Sequence, residues 1–221
     1  MTTSPPPRRN WHFTRWLIVL IIAMFGWSGW RAYAFRSALK QAKALGWTVG
    51  YTDPVEEIRA DWKTAFTKKT WLDGVTDVAI QTSDSFEQHL SIVYRLNPNA
   101  LLINDAATLR DLSALKPLTR LQSVVLDGCT GLMNVDALKS LSALDELSLE
   151  GCTGITNVEV LKSLYALHFV RLTGCTGLTN VDGLKNLPAL QTVALIGCTG
   201  LTEESIAALK AALPNADIIR P

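Results

Sequence analysis

The sequence predicts an α/β solenoid, a stack of short coils of chain whose strands form one parallel sheet. Three observations lead to this fold class. The phrase Gly-Cys-Thr-Gly occurs four times with a period of 23 residues. Within each period, a strand-like alternation of apolar residues is followed by apolar residues spaced three apart. Finally, one such coil cannot bury its apolar stripe alone, whereas stacked coils cover one another.

The repeat defines five units, which begin at residues 98, 121, 144, 167 and 190. The alternation Leu-x-Leu predicts short strands near residues 101–103, 124–126, 147–149, 170–172 and 193–195. The three-residue spacing predicts a tight helical turn after each strand. The glycines of the Gly-Cys-Thr-Gly motif can adopt backbone conformations that other residues disfavour, as the chain needs where it leaves the strand.

The pattern L-x-x-L-x-L-x-x-C-x-x-[LI]-T-N resembles the leucine-rich-repeat family in its cysteine-containing form. The resemblance covers residues 98–221 well and residues 75–97 weakly. It implies a right-handed curved stack with the parallel sheet on the concave face and short or irregular helices on the convex face. The last unit carries a longer helix over residues 203–213 and resembles the closing cap of bacterial proteins of this kind. Members of the family mostly bind other proteins through the concave sheet, so the resemblance implies a protein partner.

Two segments before the repeats have their own signals. Val75, Val78 and Ile80 predict a strand, with a helix following near residues 86–94, and in the 23-residue frame residues 75–97 form an N-terminal cap of the solenoid. Residues 36–74 are expected to be a helical linker, because one helical pattern ends at Gly46 and the N-cap signals at residues 53–56 open an amphipathic helix of about 15 residues.

The N-terminal segment predicts a membrane anchor. Residues 1–15 form a basic tail, and residues 16–35 form an apolar stretch of 20 residues with tryptophans at both ends, if Arg31 snorkels. The alternative is a signal peptide cut after the Ala-Tyr-Ala at 32–34, although bulky Trp27 and Trp30 crowd that site. Because basic residues flank the apolar stretch on both sides, the positive-inside rule does not decide its orientation in the membrane. The short basic tail favours a single-pass protein of the bacterial inner membrane with its repeats on the extracytoplasmic side.

Composition argues against several classes of function. Residues 1–36 hold five arginines and no acid, while the remaining chain holds 16 basic and 20 acidic residues, so the repeats lack the basic surface that nucleic-acid binding requires. The sequence contains none of the motifs typical of hydrolases, metalloproteases or nucleotide-binding folds. We therefore expect no enzyme activity, cofactor or small-molecule substrate. Stacked coils place the four cysteines in a row whose ends are about 14 Å apart, which disfavours a tetrahedral zinc site and favours a buried thiol ladder.

The candidate binding residues follow from strand alternation, because residues between the inward-facing ones point out of the sheet. The apolar and charged residue types at such positions are those enriched at interfaces. The outward positions include Ser148, and the candidates are Leu102, Val125, Asp127, Glu146, Glu150, Phe169, Arg171 and Ile196. The sequence therefore predicts a membrane-tethered protein-interaction module. Two alternatives stay open at this point, a cell-envelope protein that self-associates and a secreted protein formed by signal-peptide cleavage.

Overall fold

The computed structural model describes residues 33–51, 75–80 and 89–220. The chain divides into two compact units, Met1–Ser37 and Ala38–Pro221. Of the first unit only residues 33–37 are described, and they are helical. The predicted basic tail, the anchor as far as residue 32 and the predicted helix after residue 53 lie outside the described residues. Among the residues that are described, no helix is long and apolar enough to cross a membrane.

The described part of the second unit is built on one sheet of eight strands, which lie side by side in chain order. The first pair is antiparallel and every later pair is parallel. The strands are β1 Thr48–Tyr51, β2 Val75–Ile80, β3 Ala100–Asn104, β4 Ser123–Asp127, β5 Glu146–Ser148, β6 Phe169–Arg171, β7 Thr192–Ala194 and β8 Asp217–Ile219. The predicted parallel sheet is confirmed, whereas the right-handed curvature stays a prediction.

Each of the first four repeats contributes one strand and one short helical turn. Residues exactly one period apart are paired in register, as Leu101 with Val124 and Leu147 with Val170. The turns are 3₁₀ helices, the tight form that a three-residue apolar spacing predicts. They are η1 Ser113–Leu115, η2 Asp136–Ser140, η3 Glu159–Ser163 and η4 Asp182–Leu184.

The core is a continuous apolar column between the sheet and the helical turns. In the third complete unit, Leu144, Leu147 and Leu149 are fully buried, and so are Ile155 and Leu161 behind the strand. Each such side chain contributes on the order of 1.5–3 kcal/mol through burial. Since the same positions are buried in neighbouring units, the core of one coil is completed by the coils on either side of it.

Three helices complete the secondary structure of the described residues. Helix α1 covers residues 33–44 and ends at Gly46 in a Schellman motif, in which the Trp47 N–H donates to the Ala42 carbonyl oxygen at 3.0 Å. Helix α2, Leu90–Leu96, precedes β3. Helix α3, Glu203–Ala212, is capped at its N-terminus by Thr202, whose side chain accepts a hydrogen bond from the Ser205 N–H.

Two parts of this arrangement differ from the expectation. Residues 48–51 lie in the segment expected to be a helical linker, but they form β1, because Thr-Val-Gly-Tyr pairs with the edge of β2 and has strand-favouring side chains. Strand β8 was not expected at all. Its register with β7 is 25 residues, as Val193 with Ile218, because helix α3 is longer than the other helical turns and moves the next strand out of the 23-residue frame.

We expect Leu149→Ala to lower the free energy of unfolding by about 2 to 5 kcal/mol, because the cavity left in a stacked core refills poorly. Leu149 is fully buried, and denaturant unfolding of the purified protein measures the loss. Met133→Ala is the control, since the Met133 side chain is 63% exposed and its loss should change stability by less than about 0.5 kcal/mol. Equal effects of the two substitutions would contradict the stacked-core interpretation.

Candidate interaction face of the sheet

The outer face is the face of strands β3 to β8 that points away from the core. Its side chains form rows across the sheet, because strands in register bring equivalent residues side by side. The first row is Ala100, Ser123, Glu146, Phe169, Thr192 and Asp217, and the second is Leu102, Val125, Ser148, Arg171, Ala194 and Ile219. The third row begins with Asn104 and Asp127 and, by the same alternation, continues with Glu150, Thr173 and Ile196.

All eight candidate residues fall on these three rows. Leu102, Val125, Asp127 and Glu146 are half-buried. Glu150, Phe169, Arg171 and Ile196 are exposed. Their positions follow the alternation, and their role in binding stays a prediction.

Ser148 departs from the expectation that it faces solvent. It occupies the outer face between Val125 and Arg171, yet its side chain is fully buried. A short side chain flanked by two longer ones on adjacent strands is covered by them. The Ser148 hydroxyl donates a hydrogen bond to the Asp127 carboxylate at 3.0 Å, so this polar group is satisfied and holds the carboxylate in place.

Carboxylates dominate the charge of the outer face. They are Asp127, Glu146, Glu150 and Asp217, and the one basic side chain among the described residues of the three rows is Arg171. The Ser123 hydroxyl donates to Glu146 at 3.2 Å. None of these five charged groups takes part in an ion pair within the described part of the chain, where the pairs are formed by residues off this face, as Lys162 with Glu159. Their charges are therefore available to a partner.

Apolar side chains concentrate at the C-terminal half of the same face. Phe169 is 44% exposed, Ile196 43% and Ile219 39%. Ile219 was missed by the sequence analysis because β8 was missed. Beside Phe169, the His168 ring lies with its centroid 6.3 Å from the phenyl centroid, and its Nδ1 is hydrogen-bonded to the Asp145 carboxylate. The aromatic pair is thus held by a polar contact to the preceding coil.

A depression of about 110 Å³ lies on this apolar half. It is lined on the outer face by Glu146, Phe169, Arg171, Thr192, Ala194 and Ile219. The depression exists because β7 presents two short side chains, Thr192 and Ala194, between longer ones on β6 and β8.

The four cysteines lie on the opposite side of the sheet, inside the core, and all are buried as predicted. Each thiol donates to a backbone carbonyl oxygen of the preceding unit, as Cys175 to the Leu149 oxygen at 3.0 Å. Burial raises the pKa of Cys175 to about 12 and also raises the pKa of Cys198. The hydrogen bond with the Cys129 thiol, followed by burial, raises the pKa of Cys152. The same hydrogen bond lowers the pKa of Cys129. Neutral thiols are therefore the stable form of Cys152, Cys175 and Cys198 in the folded chain.

The described residues include no group of three or more histidine, cysteine or acidic side chains arranged to hold a metal ion. The cysteines share one column of the core, and each thiol is directed at a backbone carbonyl rather than at a common point. The remaining acidic clusters serve local structure. The Ser113 hydroxyl and N–H, for example, donate to Asp111 and lower the pKa of that carboxyl.

No protein-family model matches the sequence, and no curated protein matches it either. Solved structures with similar backbones include internalin C2 of Listeria monocytogenes, at 21% identity over 67% of this chain and 82% of that one, with a TM-score of 0.40. A leucine-rich-repeat protein of Leptospira interrogans is 12% identical over 58% of this chain and 50% of that one, with a TM-score of 0.34. Another Listeria monocytogenes internalin, InlF, is 17% identical over 68% of this chain and 54% of that one, also with a TM-score of 0.34. This chain spans about half the length of the latter two.

We expect the native protein to react slowly with a bulky maleimide at all four cysteines, because the thiols are buried and the reagent cannot reach them. Mass spectrometry of timed samples measures the labelling, and unfolding the protein should make it fast. Thr153→Cys is the control, since this position is exposed and directly follows Cys152. Rapid labelling of all four native cysteines would show that the coils are not stacked as described.

Proposed function

We propose that this chain is a leucine-rich-repeat module, held at a membrane by its N-terminal segment, that binds a protein partner through the outer face of its sheet. One observation carries the proposal. Phe169 and Ile196 expose more than two fifths of their surface on a face that could be filled with small or polar residues, and Arg171 lies directly beside Phe169. Aromatic and arginine side chains are enriched at the centres of protein interfaces.

The scaffold behind this face supports a binding role, because it holds the outer side chains in place. The Val170 and Val193 side chains beneath them are buried, and the backbone of β6 is paired on both sides. Side chains on such a rigid element lose little backbone freedom when they bind, so less of the interaction free energy is lost to ordering.

For the tether, residues 16–35 supply the length and the flanking tryptophans of a single membrane span. The proposed location is the bacterial inner membrane, with the repeats on the extracytoplasmic side. The alternative is a secreted protein, produced if the segment is a signal peptide cut before Phe35.

A second candidate function is self-association within the cell envelope. The observation that favours it is the edge of the sheet at β8, which pairs with β7 on one side and with no other described strand on the other. An unpaired edge is a template for pairing with another chain. However, Asp217 is the first residue of this three-residue strand and Arg220 follows its last, and charges at an edge oppose such pairing. The binding role is therefore the leading proposal.

The double substitution Phe169→Ala, Arg171→Ala should abolish capture of a protein partner from membrane extracts, because it removes the aromatic anchor and the adjacent cation. Capture on the immobilised full-length chain, followed by mass spectrometry, measures the loss. The control is Tyr165→Ala, Lys162→Ala, a pair of the same residue classes that is exposed off this face. If the Phe169→Ala, Arg171→Ala variant captured the partner as well as the unmodified chain does, the binding site would lie elsewhere. Capture of copies of this chain alone would favour self-association.

Retention of residues 16–35 should keep the protein in the membrane fraction after a carbonate wash and release it only with detergent. A periplasmic reporter fused after residue 221 should be active if the repeats lie outside. The mass of the purified protein gives the control, because it distinguishes an intact N-terminus from a cut one. Soluble protein that begins at Phe35 would contradict the anchor and establish cleavage.

A further inference from the structure

The depression over β7 is the most specific feature of the outer face. Its floor is Thr192 and Ala194, one wall is Phe169 with Arg171, and the other wall is Ile219. A water molecule occupies about 30 Å³ of liquid, so a volume of about 110 Å³ accommodates roughly four heavy atoms. Four carbons form a leucine or isoleucine side chain. The depression therefore fits one aliphatic side chain.

The charges around this depression are unbalanced. In the first row, Glu146 lies beside Phe169, and Asp217 lies two strands away across Thr192. Strands are about 4.8 Å apart, so both carboxylates lie within about 10 Å of the phenyl side chain. A cation near Phe169 would be attracted by the two carboxylates and by the aromatic ring. An anion there would be repelled.

The two subsites are spaced like alternate side chains of a strand. The aliphatic subsite is centred on Ala194 and Ile219 in the second row, and the cationic subsite on Phe169 and Asp217 in the first row. Residues two apart along a strand are separated by about 6.8 Å. An extended segment that crosses the rows thus reaches both subsites with side chains at positions i and i+2.

We propose that the partner presents an extended segment carrying a lysine or arginine two residues from a leucine or isoleucine, and that the aliphatic side chain occupies the depression over β7 while the basic side chain lies beside Phe169. This inference rests on the proposed function, since it names the chemistry of the partner of that same face. Arg171 weakens the attraction for a cation without reversing it, because Glu146 lies one strand spacing from Phe169, closer than Arg171 two residues along β6, and Asp217 adds a second carboxylate. The same excess of carboxylates disfavours an acidic partner.

The test uses the purified full-length chain and fluorescein-labelled peptides built on one glycine-serine frame. The first peptide carries Lys-Ser-Leu, the second Glu-Ser-Leu and the third Lys-Ser-Ser. By fluorescence anisotropy, the first should bind, and its affinity should fall as salt is raised, because exposed charges are screened. The second and third should each bind about tenfold more weakly or not at all. Equal binding of the glutamate peptide would overturn the proposal.

Two pairs of variants place the binding at the depression. Ala194→Phe fills it and should weaken the lysine peptide about tenfold or more, whereas Ala100→Phe, an alanine on the same face of β3, should not. Glu146→Gln with Asp217→Asn should also weaken binding, while Glu159→Gln, on helical turn η3, should leave it unchanged. Circular dichroism and the unfolding midpoint confirm that each variant is folded. Undiminished binding to Ala194→Phe would overturn the proposed site.

The outcomes separate this inference from the proposed function. If partner capture depends on Phe169 and Arg171 but no lysine-leucine peptide binds even at millimolar concentration, the partner chemistry is wrong and the binding face stands. If neither the capture nor the peptide binding depends on this face, both proposals fail. Binding of the lysine peptide that is lost in Ala194→Phe and weakened in the double carboxylate variant supports the inference.

Discussion

A coil of 23 residues is too short to bury its own apolar stripe, and the rest of the structure depends on how neighbouring coils solve this together. Leu147 is fully buried only because the strands on both sides carry Val124 and Val170 in register. The backbone has the same dependence. The carbonyl oxygen of Gln122 accepts the N–H groups of Asp145 and Glu146 from the next coil, at 2.8 and 2.9 Å. Core and hydrogen bonds are thus both shared between coils.

Backbone conformation and close stacking together explain why the motif Gly-Cys-Thr-Gly recurs. Its first glycine has a positive φ, +69° at Gly151, which disfavours any side chain, although a Cβ there would make only an ordinary contact with Gly128 at 3.6 Å. The second glycine is limited by space alone, because a Cβ at Gly177 would lie 2.3 Å from the Thr153 carbonyl oxygen. Between them, a cysteine is small enough to be buried and donates to a backbone carbonyl of the preceding coil. The two glycines and the cysteine are thus required by backbone conformation, by space and by burial.

The same reasoning shows what could be predicted from the sequence. The strands of the repeats and their register follow from the period, since every unit repeats the environment of the one before. Strand β8 was not predicted, because helix α3 adds two residues to the 23-residue period. Strand β1 was not predicted either, because its four residues belong to no repeat and are stabilised by pairing with β2. The burial of Ser148 depends on the lengths of the side chains next to it on other strands. Such lengths matter only once the register is known, so the depression over β7 could not be foreseen either.

The contrast between the two faces of the sheet bears on function. On the inner face, strands β3 to β8 place Leu, Val, Leu, Val, Val and Ile at equivalent positions, because each must fit the same space between coils. On the outer face, the adjacent row reads Ala, Ser, Glu, Phe, Thr and Asp. Stacking sets no such requirement there, so the outer side chains can differ between units without loss of the core. The differences place an aromatic ring, an arginine and carboxylates around β6 and β7, where a partner can be distinguished while the solenoid remains intact.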